Sequence, residues 1–242
     1  MKQDEITQLL SRRCAKAQNP VRRWLLHLHV QRQRIHAQWL AHGADATKRA
    51  LDIVVSSILL LLAAPLFLMI AILIKLEDGG PMIFAQTRIG EGGREFKMFK
   101  VRSMCLNAEK RLEELLGKNK HRESVTFKIT NDPRITRVGK WLRKLSLDEL
   151  PQLYNVLIGD MSLVGPRPPL AREVAKYSPA DRRRLAIKPG ITCIWQISGR
   201  AEIDFSGQVQ LDVDYIERQS FWTDLAILTL TVPAVISGRG AC

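Results

Sequence analysis

Apolar positions along the chain fall into two long runs and several short periodic ones. Residues 53–74 form 22 consecutive positions without a charge. As one straight helix they would measure roughly 33 Å, enough for the hydrocarbon core of a bilayer. Residues 221–236 are apolar apart from Asp224 and are interrupted by Pro233, which predicts a helix too short to span, interfacial or buried. Between these runs, 81–86 and 96–102 read as two strands joined across Gly90-Glu91-Gly92-Gly93, a hairpin signal. The spacing predicts helices over 107–116, closed by Gly117, over 147–158, stopped by Gly159, and over 204–217. Another opens at Ser178-Pro179, with Ser as cap and Pro at the first helical position. Asn131-Asp132-Pro133-Arg134 is turn chemistry. Near the N-terminus, Trp24, Leu28, Ile35 and Trp39 fall at helical spacing among arginines. That pattern suits an interfacial helix, or a basic extension with scattered tryptophans.

Two features bear on how the first run meets a membrane. Pro65 sits near its middle, where it removes a backbone donor and clashes with the preceding turn. Both flanks are basic: Lys48 and Arg49 on one side, Lys75, Arg88, Arg94, Lys97, Lys100 and Arg102 on the other. Basic residues near both ends want the cytoplasm. A helix broken at Pro65 that enters and leaves by one leaflet satisfies both, whereas a single span satisfies one.

Charge narrows the partners. Lys+Arg number 37 against 24 Asp+Glu, a net +13, so ligands should be anionic: nucleic acid, lipid headgroups or phosphorylated small molecules. The four cysteines (Cys14, Cys105, Cys193, Cys242) include no C-x-x-C pair, which argues against a disulfide framework or zinc site. His27, His29, His36 and His42 lack the spacing of a metal site. The opening residues, MKQDEITQLL, do not read as a secretory signal. No G-x-G-x-x-G or P-loop is present.

The densest chemistry lies in Arg143-Lys144-Leu145-Ser146-Leu147-Asp148-Glu149-Leu150-Pro151-Gln152-Leu153. Ser146 and Glu149 fit a capping box, with Asp148 and Glu149 favouring the dipole of a first turn. An ionised aspartate there also suits a metal ligand or a nucleophile. Gly165-Pro166-Arg167-Pro168-Pro169 fixes an arginine in a stiff loop, as planar phosphate recognition needs. Lys188-Pro189-Gly190 and Ser198-Gly199-Arg200 repeat the theme of a cation beside turn residues.

Taken in order, six motifs carry a resemblance. They are Lys48-Arg49…Asp52, Phe96-Lys97…Lys100…Arg102-Ser103-Met104, Asp132-Pro133-Arg134-Ile135-Thr136, Ser146 to Leu153, Gly159-Asp160-Met161-Ser162-Leu163-Val164-Gly165-Pro166-Arg167-Pro168, and Pro189-Gly190-Ile191-Thr192 with Trp195 to Arg200. Over about four-fifths of its length the chain resembles the bacterial sugar transferases, the monotopic polyprenyl-phosphate phosphoglycosyl transferases, and especially the exopolysaccharide-initiating members. The resemblance implies an α+β fold. A basic extension (1–47) would lead into a re-entrant membrane helix (48–76) marked by Lys48, Arg49, Asp52 and Pro65. A cytoplasmic catalytic domain (77–242), mostly helical with a short β-hairpin and interfacial helices, would then lie against the inner leaflet of the bacterial cytoplasmic membrane. Many relatives have Ser before the hairpin proline; Ala64 stands here.

The implied reaction moves a sugar 1-phosphate from a UDP-sugar to undecaprenyl phosphate and releases UMP, with Mg²⁺ offsetting the diphosphate charge. By resemblance Asp148 is the nucleophile and a metal ligand, Glu149 an acid/base or metal residue, and Asp212 a metal or substrate support. Lys100, Arg143, Arg167 and Arg200 match positions for the anionic substrates. A homodimer is compatible, and nucleic acid is not expected as a partner. Two competing classes are a non-catalytic basic module for acidic lipid or nucleic acid, and a member of the family without catalysis. The motifs do not choose between glucose, galactose and N-acetylated sugars.

Overall fold

A computed structural model describes residues 20–108, 132–199 and 203–237, with side chains within those ranges from Gly43 to Val235, Ala44 excepted. By its internal contacts the chain divides into two units, Met1–Arg49 and Ala50–Cys242. In the first, the backbone is helical from Pro20, and Thr47 Oγ1 donates back to the Gly43 carbonyl at 2.8 Å. The side chains of the tryptophan stripe lie outside the described residues, as do most of 107–116 and Asn131.

The long apolar run is helical throughout. Helix α1 (Pro20–Asp78) continues through Pro65, where a break was expected. The missing Pro N–H removes one i→i−4 bond without ending the helix. The segment Asp45–Asp78 is long and apolar enough, by length and composition, to cross a membrane. It leaves Leu61, Leu62, Leu68 and Leu76 at least two-thirds or so exposed. Such an apolar surface fits membrane association.

One narrow stripe of the same helix is buried. Asp52 accepts from the Leu163 amide at 2.9 Å and from Ser162 Oγ at 3.2 Å. Ser56 Oγ in turn donates to the Asp52 carbonyl at 2.5 Å. Val55 and Leu60 pack on a core of Met98, Leu153, Val156, Met161, Leu163, Val164, Tyr215 and Ile227. About three to four turns beyond Leu60, Ile70 and Ile74 join Val101 and Leu142 in a second core. Arg102 closes the end of α1 by gripping both carboxylate oxygens of Asp78, at 2.6 and 2.5 Å.

The expected hairpin is present as β1 (Ile83–Ile89) and β2 (Glu95–Val101), antiparallel and paired from Ile83↔Val101 to Ile89↔Glu95. Helix α2 (Arg137–Lys144) starts at Thr136, whose Oγ1 accepts from the Gly139 amide at 2.9 Å. The predicted helix over 147–158 is two elements. A single 3₁₀ turn, Leu147–Glu149, precedes α3 (Gln152–Ile158). Pro151 has no N–H to carry the i→i−4 ladder across, so the chain tightens to i→i−3 bonds there. Gly159 ends α3 at φ 96°, as expected of a helix stop.

Strand β3 (Ser162–Val164) runs parallel to β4 (Gly190–Thr192). Their backbones pass so closely that a Cβ on Gly190 would lie 2.0 Å from the Gly165 nitrogen. Helix α4 (Ala171–Val174) and a 3₁₀ segment, Asp181–Leu185, follow β3; the segment expected to open at Ser178-Pro179 starts at Asp181, whose amide donates to Ser178 Oγ at 3.2 Å. Helix α5 (Ile194–Ser198) leads to α6 (Phe205–Glu217) and α7 (Phe221–Ser237), both near their predicted bounds. Helix α7 buries Ile227 and Asp224 while Trp222 is 74% exposed. Tyr215 joins α6 to it, donating to Asp224 at 2.6 Å.

Candidate active site

The dyad sits on a strained turn. Ser146 has φ 55°, the left-handed region, and is the only non-glycine residue there among those described. Its side chain makes no cap hydrogen bond, so the expected capping box is absent. Glu149 turns instead to the hairpin, where Lys100 Nζ meets Oε1 at 2.9 Å. A long-range ion pair has displaced the local cap.

Helix α3 fixes this turn against β2. Asn155 is fully buried; its Oδ1 accepts from the Phe99 amide at 2.9 Å and its Nδ2 donates to the Lys97 carbonyl at 2.8 Å. The carboxamide completes the edge of β2 and thereby sets Lys100 opposite Glu149. Around them opens a shallow cleft, open to solvent. Its wall includes Arg88, Lys100, Glu149, Gln152, Arg167 and Gln196.

Three cations therefore converge on one carboxylate. Arg167 stands at the exposed tip of the Gly165–Pro169 loop, which the Gly190 amide pins to the Pro166 carbonyl at 2.9 Å. Arg88 is buried and braces the same loop, donating to the Pro168 carbonyl at 3.0 Å. Burial and the nearby Arg167 pull Arg88 down to about 10, which leaves it charged at neutral pH. Burial pushes Glu149 up, but Lys100, Arg167 and Arg88 outweigh it and hold the carboxyl below its ordinary value. For Asp148 the balance is opposite. Burial raises it to about 6, Glu149 adds to the rise, and Lys100 and Arg143 only partly oppose. Two adjacent carboxylates thus differ in proton affinity.

Of the residues expected from sequence, the structure brings Lys100, Glu149 and Arg167 to one cleft, with Asp148 half-buried beside them and Arg143 within electrostatic reach. Asp52 anchors α1 to β3. Asp212 does not line the cleft: it is 1% exposed and paired with Arg184 in a buried ion pair. Burial pushes it up to about 6 against the pull of Arg184. In this arrangement the Asp212 carboxylate, expected to support metal or substrate, is held by Arg184. Arg200 lies outside the described residues. Sequence reasoning missed Arg88 and Gln152 as site residues. Strand periodicity held the signal for the first, because the register puts Arg88, Gln86 and Phe84 on one face with Phe96, Met98 and Lys100.

Among the described residues no three His, Cys, Asp or Glu side chains form a ready metal cage. Magnesium is commonly held by one or two carboxylates plus substrate phosphates. Asp148 and Glu149, hard oxygen donors beside a cationic wall, fit that mode.

A paired carboxylate turn under arginines and lysine, built against a hairpin and an apolar helix, is a cleft whose cationic wall suits an anionic ligand. The chain belongs to the bacterial sugar transferase family, whose sequence model matches residues 43–238. It is 50% identical over 195 residues to the galactosyl transferase CpsE of Streptococcus agalactiae serotype III (strain NEM316), covering 80% of this chain and 43% of that protein. It is 44% identical over 197 residues to the exopolysaccharide production protein ExoY of Rhizobium meliloti (strain 1021), covering 80% and 87%. The same identity and length relate it to the undecaprenyl-phosphate galactose phosphotransferase of Salmonella typhimurium (strain LT2), covering 80% and 41%. The chain thus spans less than half of CpsE and the Salmonella protein, and most of ExoY.

Proposed function

We propose that the protein transfers a sugar 1-phosphate from a UDP-sugar to undecaprenyl phosphate, releasing UMP and starting a lipid-linked exopolysaccharide or related surface glycan. The observation that carries this reading is the Asp148-Glu149 turn held against Lys100, Arg88 and Arg167. The names of the relatives, which include an undecaprenyl-phosphate galactose phosphotransferase, support the substrate classes.

In this reading the diphosphate lies along Arg88, Lys100 and Arg167, with Arg143 and Arg200 as further cationic support. Asp148 attacks the β-phosphorus, the bond to the UMP oxygen breaks, and an aspartyl-phosphosugar results. The lipid phosphate then attacks the same phosphorus and frees Asp148. Burial gives Asp148 a carboxylate that is poorly solvated and reactive, yet ionised above about pH 6. Glu149, held ionised, keeps Lys100 in place and serves as acid/base or metal ligand. Mg²⁺, held by Asp148 or Glu149 together with the diphosphate, would offset the charge of the two anions. The basic residues on both sides of the apolar run, Lys48 and Arg49 before it and Lys75 after it, support a path in which α1 bends at Pro65 without unwinding and both ends face the cytoplasm.

Purified protein supplied with Mg²⁺, undecaprenyl phosphate and a panel of UDP-sugars should release UMP from at least one. Sustained release beyond one UMP per enzyme without the lipid phosphate, or none with any donor, would refute the reading.

A further inference from the structure

Gln152 opens α3 and lines the cleft, yet its side chain is 3% exposed and its carboxamide meets no hydrogen-bond partner among the described residues. Asn155, one turn on, has both ends of its carboxamide bonded. The carboxamide is not an orphaned buried amide: it borders the open cleft, where a bound ligand can meet it. The chemistry of the group narrows what it faces. A carboxamide presents one acceptor and two donors, whereas phosphate oxygens only accept and already have Arg88, Lys100 and Arg167 in the same cleft. Hydroxyl groups satisfy both ends.

Position narrows it further. Gln152 lies three residues beyond Glu149, about one turn away. The hexose is bonded directly to the phosphate that Asp148 would attack, while uridine is one phosphate further off. We propose that Gln152 reads a hydroxyl of the hexose and so helps to select the sugar. The inference rests on the transfer reaction proposed above.

The test uses the full chain in detergent or nanodiscs with Mg²⁺, undecaprenyl phosphate, UDP-glucose, UDP-galactose and the monodeoxy analogues of each. Gln152→Met keeps the volume and removes the hydrogen bonds. Its melting temperature should stay close to that of the parent, and inhibition by UMP, which lacks the hexose, should be unchanged. kcat/KM for the preferred donor should fall about tenfold, the worth of one such hydrogen bond. The penalty that one deoxy analogue suffers with the parent should vanish with the variant. If Gln152→Met does not fold, Gln152→Asn withdraws the same carboxamide by one methylene and should give the same pattern. An unchanged deoxy penalty would overturn the inference, as would weaker UMP inhibition in step with kcat/KM, or a lower melting temperature with uniform loss. Any of these in an active parent leaves the proposed function standing. A parent inactive with every UDP-sugar overturns both.

Discussion

Replacing Asp148 by Asn separates a catalytic carboxylate from a helix-capping one by the sign of a stability change. Burial raises Asp148 from 3.8 to about 6 in the folded protein. The folded state therefore binds this proton more tightly than the unfolded chain, and stability falls as pH rises from about 4 to 6 and stays lower above. At neutral pH the cost is about 3 kcal/mol. Asn has nearly the same shape and no charge to desolvate, so the variant should be more stable by about 1–3 kcal/mol. For a chain of this size that is roughly 3–10 °C in melting temperature. At pH 5 the gain should shrink to about half, because much of the Asp148 population is then protonated in the folded state. A carboxylate serving only the helix dipole would instead lose about 0.3–1 kcal/mol on neutralisation. Thermal unfolding of the detergent-solubilised chain at pH 7.5 and 5, with a chelator present, gives the stabilities; UMP release gives the activity. The expected variant is stabler and almost inert. A destabilised variant, a gain independent of pH, or retained turnover would refute the reasoning.

Four other changes probe the frame around the site. Asp52→Ala leaves the Leu163 amide and Ser162 hydroxyl unpaired and should cost about 1–3 kcal/mol in denaturant unfolding. Asn155→Leu strips the Phe99 amide of its acceptor, so stability should fall by about 1–3 kcal/mol and UMP release should fall with it. Ser146→Gly relieves the left-handed strain and should be neutral or slightly stabilising in the melt, whereas Ser146→Val should cost about 1–3 kcal/mol. Single cysteines at Gly43 and Gly79, in a cysteine-free background, should both resist an impermeant thiol reagent in intact cells; labelling at Gly43 alone would favour a span.

Periodic features were legible in the sequence. The hairpin, α6 and α7 lie close to their predicted bounds because alternation and helical spacing are local signals. The dyad was legible as residue types at the right spacing. Its surroundings were not, since Glu149 gives up the cap offered by Ser146 for Lys100, 49 residues away in sequence. Pro151 then splits what periodicity reads as one helix. Asp212 illustrates the same gap: nothing near it in sequence announces that Arg184, 28 residues earlier, occupies its carboxylate. Arg88 lay hidden among flanking cations until strand register placed it beside the dyad.

The central claim is that a carboxylate of this chain carries the phosphosugar. Brief incubation of the parent with Mg²⁺ and the preferred UDP-sugar, without lipid acceptor, followed by peptide mass spectrometry, tests it directly. A phosphosugar adduct should appear on the peptide containing Asp148, vanish when undecaprenyl phosphate is added, and be absent from Asp148→Asn. An adduct on another residue, or UMP release by Asp148→Asn at the parent's rate, would contradict the account.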